Sequence, residues 1–95
     1  MIREHDNLPL YTDIYSMSVV TVRRGGDKPD KYFEASVGQQ FPKSGMKVTR
    51  IVWNDNILKE KGINRYEVFA ENREGAEILW QWFDNPVSVN VTCSK

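Results

Sequence analysis

A chain of 95 residues with thirteen Lys or Arg against thirteen Asp or Glu carries no formal net charge. That balance argues against a strongly basic nucleic-acid protein and against an acidic nucleic-acid mimic. Charged residues at 27% and hydrophobic residues at 40% mark an ordinary globular chain, and a chain of this length predicts one domain burying roughly 60 to 65% of its unfolded surface.

The N-terminal stretch MIREHDNLPLYTD is charged and has no apolar h-region, so it does not read as a signal peptide, and its first ten residues read as a flexible tail. The first strand is expected over Ile14 to Arg24, rich in β-branched residues. Tyr15, Met17 and Val19 share one face, and Ile14, Val20 and Val22 share the other. Apolar groups on both faces suit a strand covered twice, or one that bends. Gly25 to Asp30, with two glycines and Pro29, breaks it into a hairpin with a loose tip.

A half-buried strand follows over Lys31 to Val37, with Phe33, Ala35 and Val37 alternating against Tyr32, Glu34 and Ser36. Gly38 to Gly45 is a loop, and Met46 to Trp53 is a third strand. Its apolar positions change face midway, from Met46 and Val48 to Ile51 and Trp53. A bulge near Arg50, or coverage on both faces, would explain the change. After a turn cluster, Ile57 to Lys61 has room for one short helical turn, and Arg65 to Glu71 is a fourth strand with Tyr66, Val68 and Ala70 on one side.

The main helix is expected over residues 73 to 84. Asn72 is a good N-cap, Glu74 and Glu77 suit the first turns, and Asn85-Pro86 is a stop. At about 100° per residue, Ala76, Leu79, Trp80 and Phe83 face the sheet. Ile78 and Trp82 fall together beside that stripe, next to the polar arc of Glu77, Gln81 and Asp84. A one-faced helix does not need this pair. Either a curved sheet wraps them, or they form a protein-binding patch with Gln81, or Trp82 is a stacking platform. The last strand, Val87 to Cys93, alternates Val87, Val89, Val91 and Cys93 inward against Ser88, Asn90 and Thr92. The order β-β-β-β-α-β predicts an α+β domain: a mainly antiparallel sheet of about five strands with one helix in the C-terminal half packed on one face.

Catalytic equipment is sparse. The single histidine, His5, lies in the charged N-terminal segment, and the single cysteine, Cys93, reads as a small buried hydrophobe. No disulfide within the chain and no zinc spacing follow from one Cys and one His, so no cofactor or metal is expected. Glu67 and Glu71 lie two pleats apart, roughly 13 Å, too far for a glycosidase pair. Asp27 and Asp30 shape a turn. The chain is expected not to be an enzyme.

Charge is unevenly spread. Arg23 to Arg65 holds ten Lys or Arg against five Asp or Glu. Arg23, Arg24, Lys28 and Lys31 at the first hairpin, then Lys43, Lys47 and Arg50, with Tyr32, Phe41 and Trp53 as stacking groups, would suit single-stranded nucleic acid. Scattered solvated charge is the plainer account. The preferred expectation is a small non-catalytic protein-binding domain: an adaptor, inhibitor or subunit in contact with another protein or, as a homodimer, its own copy. The final strand, if at a sheet edge, offers a second docking route. No apolar run approaches a membrane span, so a cytoplasmic protein without membrane contact is expected.

Overall fold

The computed structural model describes residues 14–22 and 29–93. Residues 1–13, with the expected flexible tail and His5, lie outside the described residues. So do 23–28, with the hairpin tip, Arg23, Arg24, Asp27 and Lys28.

The elements are β1 (Ile14–Val22), β2 (Pro29–Ser36), β3 (Gln40–Phe41), β4 (Met46–Asn54), α1 (Asp55–Lys61), β5 (Arg65–Glu71), β6 (Glu77–Asp84) and β7 (Ser88–Cys93). The class is α+β, a mainly antiparallel sheet with one helix in the C-terminal half. Two particulars depart from the expectation: the sheet has seven strands, and its helix is α1, not 73–84.

Residues 77–84 form a strand because the residues before them build a hairpin. Asn72 Oδ1 accepts from the backbone N–H of Glu74 at 2.9 Å and of Ala76 at 3.0 Å. The backbones of Asn72 and Ala76 are also bonded, at 3.0 Å. Gly75 supplies the left-handed conformation, φ 85°, that closes the turn. The side chain that reads as an N-cap is therefore an Asx turn. Each residue of Ile78–Phe83 except Trp80 then has a cross-strand partner on β5. Trp80 is the extra residue of a bulge.

α1 is capped at both ends. Asn54 Oδ1 accepts from Ile57 N–H at 3.1 Å, and Gly62 ends the helix at φ 72°. Lys59 pairs with Asp55 at 2.8 Å. No residue of α1 is fully buried, and no helix among the described residues is long and apolar enough to cross a membrane.

Two further bulges settle the double-faced strands. In β1 the pairing to β7 skips Tyr15, so Ile14 joins Met17 and Val19 on the core side. In β4 the pairing to β5 skips Thr49, so Val48, Ile51 and Trp53 all turn inward. The bulge expected near Arg50 is present.

The sheet runs β2-β1-β4-β5-β6, with β3 on β4 and β7 on β1. It curls until β2 and β6 face each other across a seam filled by side chains. Phe33 meets Phe83 at 5.3 Å and Trp80 at 6.0 Å, and Phe41 meets Trp80 at 4.8 Å between ring centroids. The core inside is Ile14, Met17, Val19, Val48, Ile51, Tyr66, Val68 and Phe83. Val89 and Val91 of β7 pack on it, as their alternation predicts. Val87 does not: it precedes β7 and is 66% exposed.

Candidate functional site

β4, β5 and β6 form a meander whose registers fix which side chains share a face. On the core side the rows are Trp53–Tyr66–Phe83, Ile51–Val68–Gln81 and Val48–Ala70–Ile78. On the outer side they are Asn54–Arg65–Asp84, Val52–Glu67–Trp82, Arg50–Phe69–Leu79 and Lys47–Glu71–Glu77. Facing residues in such rows sit about 5 Å apart.

The residues read as one helical flank are thus divided. Ile78 and Trp82 are both exposed, at 43% and 50%, but on opposite faces of β6. Gln81 is on the core side, where its Oε1 accepts from Lys31 Nζ at 2.9 Å. Leu79, expected to face the sheet, is 38% exposed and shares the outer face with Trp82. The bulge at Trp80 produces this division, because one extra residue reverses the alternation along β6.

The outer face combines an apolar middle with charges that are already paired. Arg65 holds Asp84 through two bonds, Nε–Oδ1 at 2.6 Å and Nη2–Oδ2 at 3.0 Å. That contact raises the Arg65 pKa above its ordinary value, against a smaller opposing effect of burial. Arg50 lies over the Phe69 ring at 4.0 Å, and its Nε is 3.4 Å from Glu77. Thr49 Oγ1 also donates to Glu77. Glu67 is only 7% exposed, and its carboxylate accepts from Asn54 Nδ2 at 3.1 Å. Between these pairs lie Phe69, Leu79 and Trp82, while Val52 in the same face is already buried, at 5% exposure.

The other part of the sheet, β7-β1-β2, presents a polar outer face. Ser16, Ser18, Ser36, Asn90 and Thr92 line a groove of about 330 Å³ with Glu34, its one ionisable lining group among the described residues. Glu34 accepts from the Tyr32 hydroxyl, which raises the Tyr32 pKa. Among its described lining residues the groove offers hydrogen bonds and no histidine or cysteine. Among the described residues no cluster of three or more His, Cys, Asp or Glu is placed to hold a metal ion. Cys93 is half-buried and pairs with Ile14.

The basic residues of the middle segment are dispersed. Lys31 is over the Phe83 ring at 4.8 Å, at the seam. Tyr32 is on the polar outer face of β2. Lys43 is in the turn after β3, and Lys47 and Arg50 are on the outer face of β4. Phe41 stacks on Phe33, and Trp53 packs against the core.

Phe69 and Leu79 are the site residues that periodicity did not select. Each looks like an ordinary core residue until the registers of two strand pairs and two bulges are known. No family model, no curated protein and no solved structure matches the chain.

Proposed function

We propose that the protein is a non-catalytic binding domain that acts through protein–protein contacts, and that the outer face of β4, β5 and β6 is its contact surface. One observation carries this reading: Trp82 and Leu79, half and two-fifths exposed, stand together on an edge strand beside Phe69, inside a rim of paired charges. A half-exposed tryptophan within an apolar centre and a charged rim has the anatomy of an interface hot spot. Ile78, on the other face of β6, extends the apolar edge. The partner is a protein, either a copy of this chain or another. The unpaired Cys93 suits a reducing compartment, and we place the protein in the cytoplasm.

The test is the double variant Leu79→Glu with Trp82→Glu, compared with the parent by sedimentation equilibrium and by cross-linking in cell extract. Loss of every complex with an unchanged circular dichroism spectrum supports the reading. Complexes that survive the double change refute it. A counter-test is fluorescence anisotropy with a labelled single-stranded oligonucleotide. Tight binding that weakens steeply between roughly 50 and 200 mM salt would move the function to Lys43, Lys47 and Tyr32.

A further inference from the structure

We infer that the partner is a second copy of this chain, packed face to face about a two-fold axis that runs along β5. This rests on the binding face proposed above and adds its occupant and orientation.

The inference comes from how charge is laid out across the face. Lys47 and Arg50 stand on β4, at one side of it. Glu77 and Asp84 stand on β6, at the other. The face is basic along one margin and acidic along the opposite one. Two sheets that pack face to face with their strands nearly aligned can be related by an axis in the interface, either across the strands or along them. An axis across the strands lays β4 on the partner's β4 and β6 on its β6. By the rows of the sheet, Glu77 then faces Asp84 twice, acid against acid, while Lys47 faces Asn54 and Arg50 faces Val52, so neither base meets an acid. An axis along β5 lays β4 on β6 instead. By the rows of the sheet, Lys47 then faces Glu77, Asn54 faces Asp84, and Trp82 covers the row of Val52. Opposite charge meets opposite charge at both margins, and the exposed indole is covered twice by symmetry.

Residues of β5 meet their own copies on such an axis, and two of their three charges, Arg65 and Glu67, are held within the chain. Arg65 is bonded to Asp84, Glu67 is buried under Asn54, and Glu71 lies in the row between Lys47 and Glu77. Phe69 lies on the axis beneath the Arg50 guanidinium, which its ring holds at 4.0 Å. Three strands are a narrow face, at the small end of interface sizes, so the dissociation constant belongs in the micromolar range.

Charge exchange tests the orientation. Lys47→Glu and Glu77→Lys are made separately, and each is checked by thermal melting. Each variant alone should dimerise about tenfold more weakly than the parent, because both margins then oppose like charges. An equimolar mixture should recover parental affinity, because each heterodimer has one native and one reversed Lys–Glu contact. If Glu77→Lys fails to fold, the pair Lys47→Glu with Glu77→Gln is used, and their mixture should exceed Lys47→Glu alone. A parent that stays monomeric at millimolar concentration overturns the second-copy proposal, and a parental dimer whose mixture shows no recovery overturns the orientation. The interface reading fails separately, if Leu79→Glu with Trp82→Glu leaves every complex intact.

Discussion

Replacing Phe83 and Trp82 one at a time separates the two faces of β6. Phe83 is 3% exposed, lies opposite Tyr66, and packs on Phe33. Phe83→Ala opens a cavity in the core and should cost about 4 kcal/mol of folding stability. Trp82→Ala opens no cavity, since the indole is 50% exposed, and should cost at most about 2 kcal/mol. Its larger effect is on association. An indole buries on the order of 200 Å², so about 100 Å² remains to be covered, worth about 2.5 kcal/mol per copy. A two-fold contact covers two, and about 5 kcal/mol is the ceiling, because ordering the interface opposes it. Urea denaturation at micromolar protein reads the stability terms, and sedimentation equilibrium at high concentration reads the association. A Trp82→Ala variant that loses as much stability as Phe83→Ala, with association unchanged, would refute the assignment of Trp82 to a docking face.

Asn72→Ala removes the acceptor for the N–H groups of Glu74 and Ala76 and should lower stability by about 1 kcal/mol in urea, with the loss traced to the β5–β6 hairpin by amide exchange. Tyr32 should ionise above the ordinary tyrosine range, chiefly through the Glu34 hydrogen bond. Stability linked to this group is present below the unfolded pKa near 10 and is lost as pH rises through the higher folded value. Glu34→Gln should bring the Tyr32 ionisation down, read by NMR of the ring carbon that bears the hydroxyl.

Much of the sheet was legible in the sequence, because period-two alternation survives wherever no bulge intervenes. Arg65–Glu71 has its expected limits, and Tyr66, Val68 and Ala70 are its buried side. The change of face in β4 was visible too, since Met46 and Val48 cannot share parity with Ile51 and Trp53 unless a residue is skipped. β6 was not legible in the same way. Its bulge falls at Trp80, in a run where Ile78, Leu79, Trp82 and Phe83 are also apolar, so the broken alternation resembles the wide apolar arc of a helix. Gly75 was the usable signal, because a glycine in the first turn of a helix costs about 1 kcal/mol against alanine, whereas the hairpin needs its positive φ. The binding face was harder still. Phe69 and Leu79 meet only through the pairing of two strands, and a list of hydrophobic positions does not contain that pairing.

The build of β6 also decides how its apolar side chains can be used. β6 pairs with β5 alone among the described residues, so one of its backbone edges has no hydrogen-bonded strand beside it. An edge of that kind invites pairing with a second copy, which would be the simplest route to a dimer. Three features oppose it. The bulge at Trp80 interrupts the ladder a second strand would need. Glu77 and Asp84 terminate the strand at both ends, and an antiparallel match of two such strands sets Glu77 against Asp84 twice. The rings of Trp80 and Phe83 are turned into the seam with β2, which fixes the strand against Phe33. Leu79 and Trp82 escape all three constraints because they project from the face rather than the edge. An interface that uses them leaves the backbone edge alone, and that is why the proposed dimer stacks two sheets instead of extending one.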